Sequence, residues 1–218
     1  ISRFYAQAQG CISAGERIFS LIDTSVSVLD KPGATDFKDI RGKIEFKNVS
    51  FHYEKGKPVL KNINFIIEAG QSIALVGETG GGKSTIINLI CRFYEPISGV
   101  IKVDGEDYMD KTIESLRRRI GVVLQTPHLF SGTIMENIKY SNSNASGDDV
   151  IRALKFISAD DFIPRLNEQV GEGGENLSMG EKQIVSFARA VLANPAIFIM
   201  DEATSSIDTL TEARIQNS

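Results

Sequence analysis

Gly77-Glu78-Thr79-Gly80-Gly81-Gly82-Lys83-Ser84 fits the pattern G-x-x-x-x-G-K-[ST] and stands between a short apolar run and an apolar-periodic stretch. Ile73-Ala74-Leu75-Val76 reads as a buried parallel strand, and Ile86, Ile87, Leu89 and Ile90 as the apolar stripe of a helix that opens at the loop. Glycines let backbone N–H groups close around phosphate oxygens, and the helix N-terminus turns about half a positive charge toward them. Lys83 is placed to neutralise β- and γ-phosphates and Ser84 to ligate Mg²⁺, with Thr85 beside it in the nucleotide site. A nucleoside triphosphate is the expected ligand.

The bulk properties narrow the class. The 218 residues carry a formal net charge of -4, and Arg117-Arg118-Arg119 is their one basic cluster, so a nucleic-acid surface is not expected. Cys11 and Cys91 are far apart and show no metal-binding spacing, so neither a disulfide framework nor a zinc site is indicated, and both are expected to be small buried apolar residues. No run reaches the ~18 to 20 apolar residues of a membrane span. The chain opens on Ile1 rather than Met, and a piece of a longer protein is expected.

Upstream of the loop, Ile1, Phe4, Tyr5, Ala8, Ile12, Ile18, Phe19 and Ile22 recur at mostly helical spacing, and Asp23-Thr24 stops the pattern. Turn formers from Asp30 to Asp36 read as a linker. From Lys43 the period becomes two, with Ile44 and Phe46 on one phase and Val49 and Phe51 on the other, so a bulge is expected near Asn48. Ile63, Phe65 and Ile67 make another alternating strand, and residues 100–103 lead into an Asp104-Gly105 turn. Together these predict a small antiparallel sheet.

Downstream, residues 120–124 form an apolar run ending on Gln125, and residues 197–200 one ending on Asp201-Glu202. Between them lie a polar loop and a helix from Asp148 to about Ile157. Buried strands alternating with helices mean an α/β fold: a P-loop NTPase core with a mainly parallel sheet, a small antiparallel β-subdomain and a helical subdomain. Ligands in such sheets sit at the carboxyl ends of strands, where Ser84, Gln125, Asp201 and Glu202 fall.

Asp201 is placed to hold Mg²⁺ through water and Glu202 to polarise the water that attacks the γ-phosphoryl group; capping of a following helix is the competing reading. Gln125 alone fits an ordinary polar strand end equally well. Ser178 and Glu181 have capping-box spacing ahead of a helix carrying Ile184, Val185, Phe187, Ala188, Val191 and Leu192. Gly180 permits close backbone approach, so an anion could sit at that second helix start, although capping alone explains the serine and the glutamate.

Taken together, Tyr53, residues 77–84, Gln125, Leu177-Ser178-Met179-Gly180-Glu181-Lys182-Gln183, residues 197–202 and Ser205-Ser206-Ile207-Asp208 resemble the nucleotide-binding domain of ATP-binding cassette (ABC) transporters. The resemblance spans residues 41–218, with residues 1–40 as a helix and linker from a membrane domain. It implies that the nucleotide is ATP with Mg²⁺, that Tyr53 stacks on adenine, that Gln125 senses Mg²⁺ and couples to the membrane domain, and that Glu202 is the catalytic base. It further implies that Ser178 and Gly180 reach the γ-phosphate of ATP held by a second cassette, in a head-to-tail dimer whose interface Asp208 borders. Residues 125–134 and 169–174 resemble the exporter form of their loops, as does the leading helix, which places the domain on the cytoplasmic face of a membrane.

Two departures accompany the resemblance. Met179 and Glu181 stand where Leu-Ser-Gly-Gly-Gln is usual, which puts a negative charge near a triphosphate and is reminiscent of one half of a heterodimeric exporter. The family's switch histidine belongs about thirty residues beyond Glu202; His52 and His128 cannot fill that place and are expected to be structural or exposed. The 218 residues alone are therefore expected to bind ATP and hydrolyse it poorly or not at all. The rival readings are a soluble ABC-type ATPase acting on DNA or ribosomes, which lacks support from a coiled coil, a second cassette or a basic surface, and a regulatory ATP binder without turnover, which does not fit Glu202.

Overall fold

The computed structural model describes residues 2–78 and 80–201, with only the backbone for residues 2–6 and 8. Helix α1 (Ser2–Ile22) opens the chain, as the sequence pattern predicts. The Thr24 hydroxyl donates to Ser20 O and closes its last turn.

A four-stranded antiparallel sheet comes next, in the order β2-β1-β3-β4, built from β1 (Ile44–Phe51), β2 (Leu60–Ile67), β3 (Ser98–Val103) and β4 (Glu106–Asp107). The expected change of phase in β1 is real: Ile44, Phe46, Val49 and Phe51 are all buried, and the register slips against both neighbours around Asn48, whose φ is 52°. Gly99 makes this possible. Its φ of 85° is reached at no cost only by glycine, and a Cβ there would stand 2.3 Å from Asn48 O. Asp104 and Gly105 both adopt positive φ, the two-residue turn that matches strand twist, and join β3 to β4.

Helix α2 (Lys83–Ile90) leaves the glycine loop, and the short α3 (Ile113–Arg117) is capped by the Thr112 side chain. The parallel component is the pair β5 (Ile120–Val123) and β8 (Ile197–Met200), in register from Ile120 opposite Ile197 to Val123 opposite Met200. Between them run β6 (Gly132–Thr133), α4 (Ile134–Lys139), α5 (Gly147–Phe156), β7 (Gln169–Val170) and α6 (Met179–Leu192). Capping boxes begin α4, α5 and α6 on Thr133, Ser146 and Ser178, so each helix start is written locally in the chain.

Two apolar clusters form the interior. One gathers Phe46, Val49, Leu89, Ile101 and Leu116 beneath the antiparallel sheet; the other gathers Leu129, Ile134, Ile138, Leu154, Phe162 and Val185 among the helices. Each fully buried Leu or Ile contributes roughly 1.5–3 kcal/mol to folding. The helical subdomain thus has a core of its own.

One expectation of secondary structure changes. Residues 73–76 do not form a buried parallel strand: they have no ladder partner among the described residues, and Val76 is 91% exposed. A strand exists through its paired backbone, so an apolar run without a partner stays irregular. The turn-rich linker after α1 lies against the main body. Leu29 O accepts from Arg92 Nη2 (3.3 Å), Asp30 Oδ1 accepts from Ile113 N (2.8 Å), Lys31 pairs with Asp110 (2.7 Å), and Thr35 bridges to Lys111.

Candidate functional site

The glycine loop ends in a left-handed residue. Gly82 caps α2 with φ 88°, and its buried backbone packs so tightly that a Cβ would lie 2.7 Å from Leu60 Cδ2. Gly80 also has positive φ, and Gly81 N donates to Glu78 O at 3.0 Å. Lys83 Nζ donates to the carbonyls of Gly77 (2.8 Å) and Glu78 (3.0 Å), which holds the ammonium over the mouth of its own loop. Ser84 is exposed and Thr85 buried. Thr79 lies outside the described residues.

Around this loop opens a cleft of about 420 Å³, lined by Tyr53, Val59, Gly80, Gly82, Lys83, Ser84, Thr85, Gln125 and Asp201. The fold delivers these residues from separate elements. Gln125 lies just beyond β5 and Asp201 just beyond β8, and Asp201 N continues the ladder by donating to Val123 O (3.0 Å). Pairing β5 with β8 therefore sets the amide and the carboxylate side by side at the carboxyl edge, where α/β sheets hold ligands.

Tyr53 enters from just beyond β1. Its hydroxyl contacts Thr85 Oγ1 (3.2 Å) and accepts from Asn88 Nδ2 (3.2 Å), so the ring is tied to α2 itself. Phe51 and Tyr94 meet it edge-on at 4.9 and 5.0 Å, which fixes the ring plane, while Tyr53 keeps 48% of its surface exposed. These anchors are not legible from a motif, since Asn88 and Tyr94 carry no local pattern.

The donor set suits a hard cation: a serine hydroxyl, an amide oxygen and one carboxylate line the cleft. Among the described residues no cluster of three or more His, Cys, Asp or Glu exists, so a cation here would take most of its ligands from phosphate oxygens and water.

Ser178, Met179 and Gly180 form an open edge at the start of α6, outside that cleft. Ser178 N donates to Glu181 Oε2 (2.8 Å), and Glu181 N donates to Ser178 Oγ (3.3 Å). Glu181 is not an unpaired charge: Arg165 Nη1 donates to its Oε1 at 2.6 Å. Burial pushes the Glu181 carboxyl up, but Arg165 and the Ser178 amide outweigh this and hold it below the usual range. Further along α6, Gln183 is 2% exposed and donates to Leu124 O (3.3 Å), linking this helix to the residue before Gln125.

The segment after Gln125 hangs on buried polar groups. Asn137 on α4 accepts from Phe130 N (2.9 Å) and donates to Phe130 O (2.8 Å); Arg189 donates to Asn137 O (2.8 Å) and His128 O (2.9 Å). His128 itself is exposed and meets Phe130 edge-on at 5.4 Å. The arginine cluster is spent on structure: Arg117 donates to the carbonyls of Cys91 and Arg92, and Arg118 pairs with Glu114. Glu202 and Asp208 lie outside the described residues.

This geometry has close counterparts. A family model described as ABC transporter matches residues 60–205. The chain is 46% identical to the uncharacterized ABC transporter ATP-binding protein YknV of Bacillus subtilis, over 99% of this chain and 36% of that protein. It is 44% identical to the ATP-dependent lipid A-core flippase of Syntrophus aciditrophicus, over 94% of this chain and 35% of that protein. The structure of a bacterial Atm1-family ABC exporter with ATP bound superimposes with a TM-score of 0.87 at 42% identity, covering 96% of this chain and 37% of that one. The chain thus spans about a third of the length of these relatives. With a phosphate loop, a Gln125–Asp201 edge and a second capped helix start all in one fold, the chain belongs to the ABC transporter family as an ATP-binding domain of the exporter type.

Proposed function

We propose that this domain binds and hydrolyses ATP to drive export through a membrane domain of its parent protein, closing on a second cassette at each ATP. The observation that carries this reading is the shared cleft: residues from the glycine loop, β5, β8 and the end of β1 line one space. Backbone N–H groups and Lys83 hold the triphosphate, and Tyr53 gives the adenine a rigid platform. Ser84, Gln125 and Asp201 would hold Mg²⁺, which when bound supplies neutralisation of charge on the β- and γ-phosphate oxygens. Glu202 takes a proton from the attacking water.

Ser178 and Gly180 do not line this cleft, which supports a composite site in which they complete the γ-phosphate pocket of a partner cassette. That partner is another copy or a homologous cassette, and the domain works at the cytoplasmic face of the membrane. Among the described residues no helix is long and apolar enough to cross a membrane. Residues 1–40 join the cassette to the membrane domain, and residues 41–218 are the cassette.

Lys83→Ala is the direct test. Titration calorimetry of the full-length protein with Mg-ATP should show affinity reduced at least tenfold, because an ammonium–phosphate contact in the cleft is worth more than about 1.4 kcal/mol. Unchanged affinity would refute the phosphate-loop assignment.

A further inference from the structure

We propose that Arg165 is a positioning residue of the α6 start: its guanidinium, shared between Glu168 and Glu181, pairs the Glu181 carboxylate, so that the edge formed by Ser178 and Gly180 can accept the γ-phosphate of an ATP held on a second cassette. This rests on the composite-site reading above and goes beyond it by assigning a residue that no motif contains.

The geometry is specific. Arg165 ends a 3-10 turn (Asp160–Arg165) whose Phe162 side chain is buried in the helical core, and its guanidinium lies 5.1 Å from the centre of that ring. From there Nη1 donates to Glu181 Oε1 (2.6 Å), while Nε and Nη2 grip both oxygens of Glu168 (2.7 and 3.1 Å). A planar fork seated over a ring and held by a bidentate carboxylate is restricted in orientation, so the remaining nitrogen is aimed at Glu181 in advance. The opposite oxygen of Glu181 is committed to the Ser178 amide. Glu181 therefore does two jobs. It fixes the serine at the helix start, and it brings a negative charge to an edge that must meet a triphosphate. A glutamine would cap as well without the charge. Arg165 removes the conflict by pairing the carboxylate from the side away from Ser178.

The consequence is an asymmetric prediction. Losing Arg165 exposes the γ-phosphate to an unpaired carboxylate, a repulsion of about tenfold in apparent ATP affinity at a separation near 10 Å and an effective dielectric constant of about 20. Losing the charge of Glu181 at the same time should abolish the defect. In the full-length protein, steady-state ATPase is measured against Mg-ATP concentration for Arg165→Ala, Glu181→Gln, the double variant and Gly180→Asp. Arg165→Ala should raise the half-saturating ATP concentration roughly tenfold, and the double variant and Glu181→Gln alone should lie within about twofold of the parent. Raising salt from ~0.1 to ~1 M, which shortens the screening length from about 10 to about 3 Å, should shrink the Arg165→Ala defect.

An Arg165→Ala profile like the parent's, or a defect that Glu181→Gln does not repair, overturns the proposal and leaves Arg165 as packing over Phe162. Where alanine does not fold, Arg165→Gln keeps the stem over the ring and makes the same comparison. Gly180→Asp separates the two levels. If it stays fully active, the composite-site reading fails and Arg165 with it; if it is inactive, the Arg165 result stands by itself.

Discussion

Asn137 is the hub from which the segment after Gln125 hangs, and Asn137→Ala should loosen that segment at a measurable cost. The side chain is 2% exposed and makes four hydrogen bonds. Oδ1 accepts from Phe130 N (2.9 Å) and Arg189 Nη2 (3.0 Å); Nδ2 donates to Phe130 O (2.8 Å) and Thr133 O (3.1 Å). Neutral bonds are worth about 1 kcal/mol each and a charge-assisted one about 1.5–3. Water can replace part of this at Phe130, which is 40% exposed, so the net loss should be about 3 kcal/mol. For a domain near 200 residues that lowers the melting temperature by roughly 9 °C. Asn137→Asp keeps the acceptor for Phe130 N and Arg189 but sets a carboxylate oxygen against the Phe130 and Thr133 carbonyls, so it should cost at least as much as alanine. Thermal unfolding measured by circular dichroism reads both values. A fall below about 3 °C for alanine, or an aspartate variant as stable as the parent, would refute the hub reading.

Three further outcomes are expected of the same structure. Gly82→Ala forces a left-handed φ on alanine and a Cβ 2.7 Å from Leu60 Cδ2, so it should cost about 2 kcal/mol and weaken Mg-ATP binding; an unaltered melting curve and affinity would count against the packed loop. Burial pushes the Cys91 thiol up to about 11, whereas Cys11, contrary to expectation, is exposed, so a disulfide exchange reagent at pH 8 should titrate one thiol quickly and the second only on unfolding. Glu136, Asp149, Glu168 and Glu181 are each held below their ordinary values of 4.5 or 3.8, chiefly by Thr133 and Ser146 for the first two and Arg165 for Glu168; for Glu181, burial opposes Arg165 and Ser178. Depressed carboxylates stabilise above the unfolded value and lose that contribution as pH falls, so the melting temperature should be flat from pH 8 to about 5 and decline below about 4.5, and a decline that starts near neutrality would contradict this.

Legibility in the sequence tracked how local the cause was. The phase change at Asn48, the turn at Asp104-Gly105 and the Ser178–Glu181 box are short-range rules, and each appears where the residues predict it. The cleft was legible too, because a residue one step past a strand end is carried to the edge of the sheet: Gln125 and Asp201 meet the glycine loop through β5–β8 pairing. Residues 73–76 misled because an apolar run predicts a strand only if a partner strand lies beside it, and pairing is not a local property. Arg165 and Arg92 were invisible for the same reason. Arginines are common at surfaces, and only the folded chain shows that one is seated over Phe162 and the other has no exposed side chain. The charge at Glu181, which the sequence puts near a triphosphate, is paired with Arg165.

Arg92 has a mechanical consequence. Its side chain, 0% exposed, reaches Leu29 O, Tyr108 O and Lys111 O and pairs with Glu95, and it sits just past the end of α2, whose first residue is Lys83. The run from Leu29 onward is riveted to the cassette, while α1 ends at Ile22. Any swing of α1 must therefore pivot within residues 23–28, and a shortened chain that began at residue 41 would strip the buried guanidinium of Leu29 O and Asp30 while leaving it Tyr108 O, Lys111 O and Glu95.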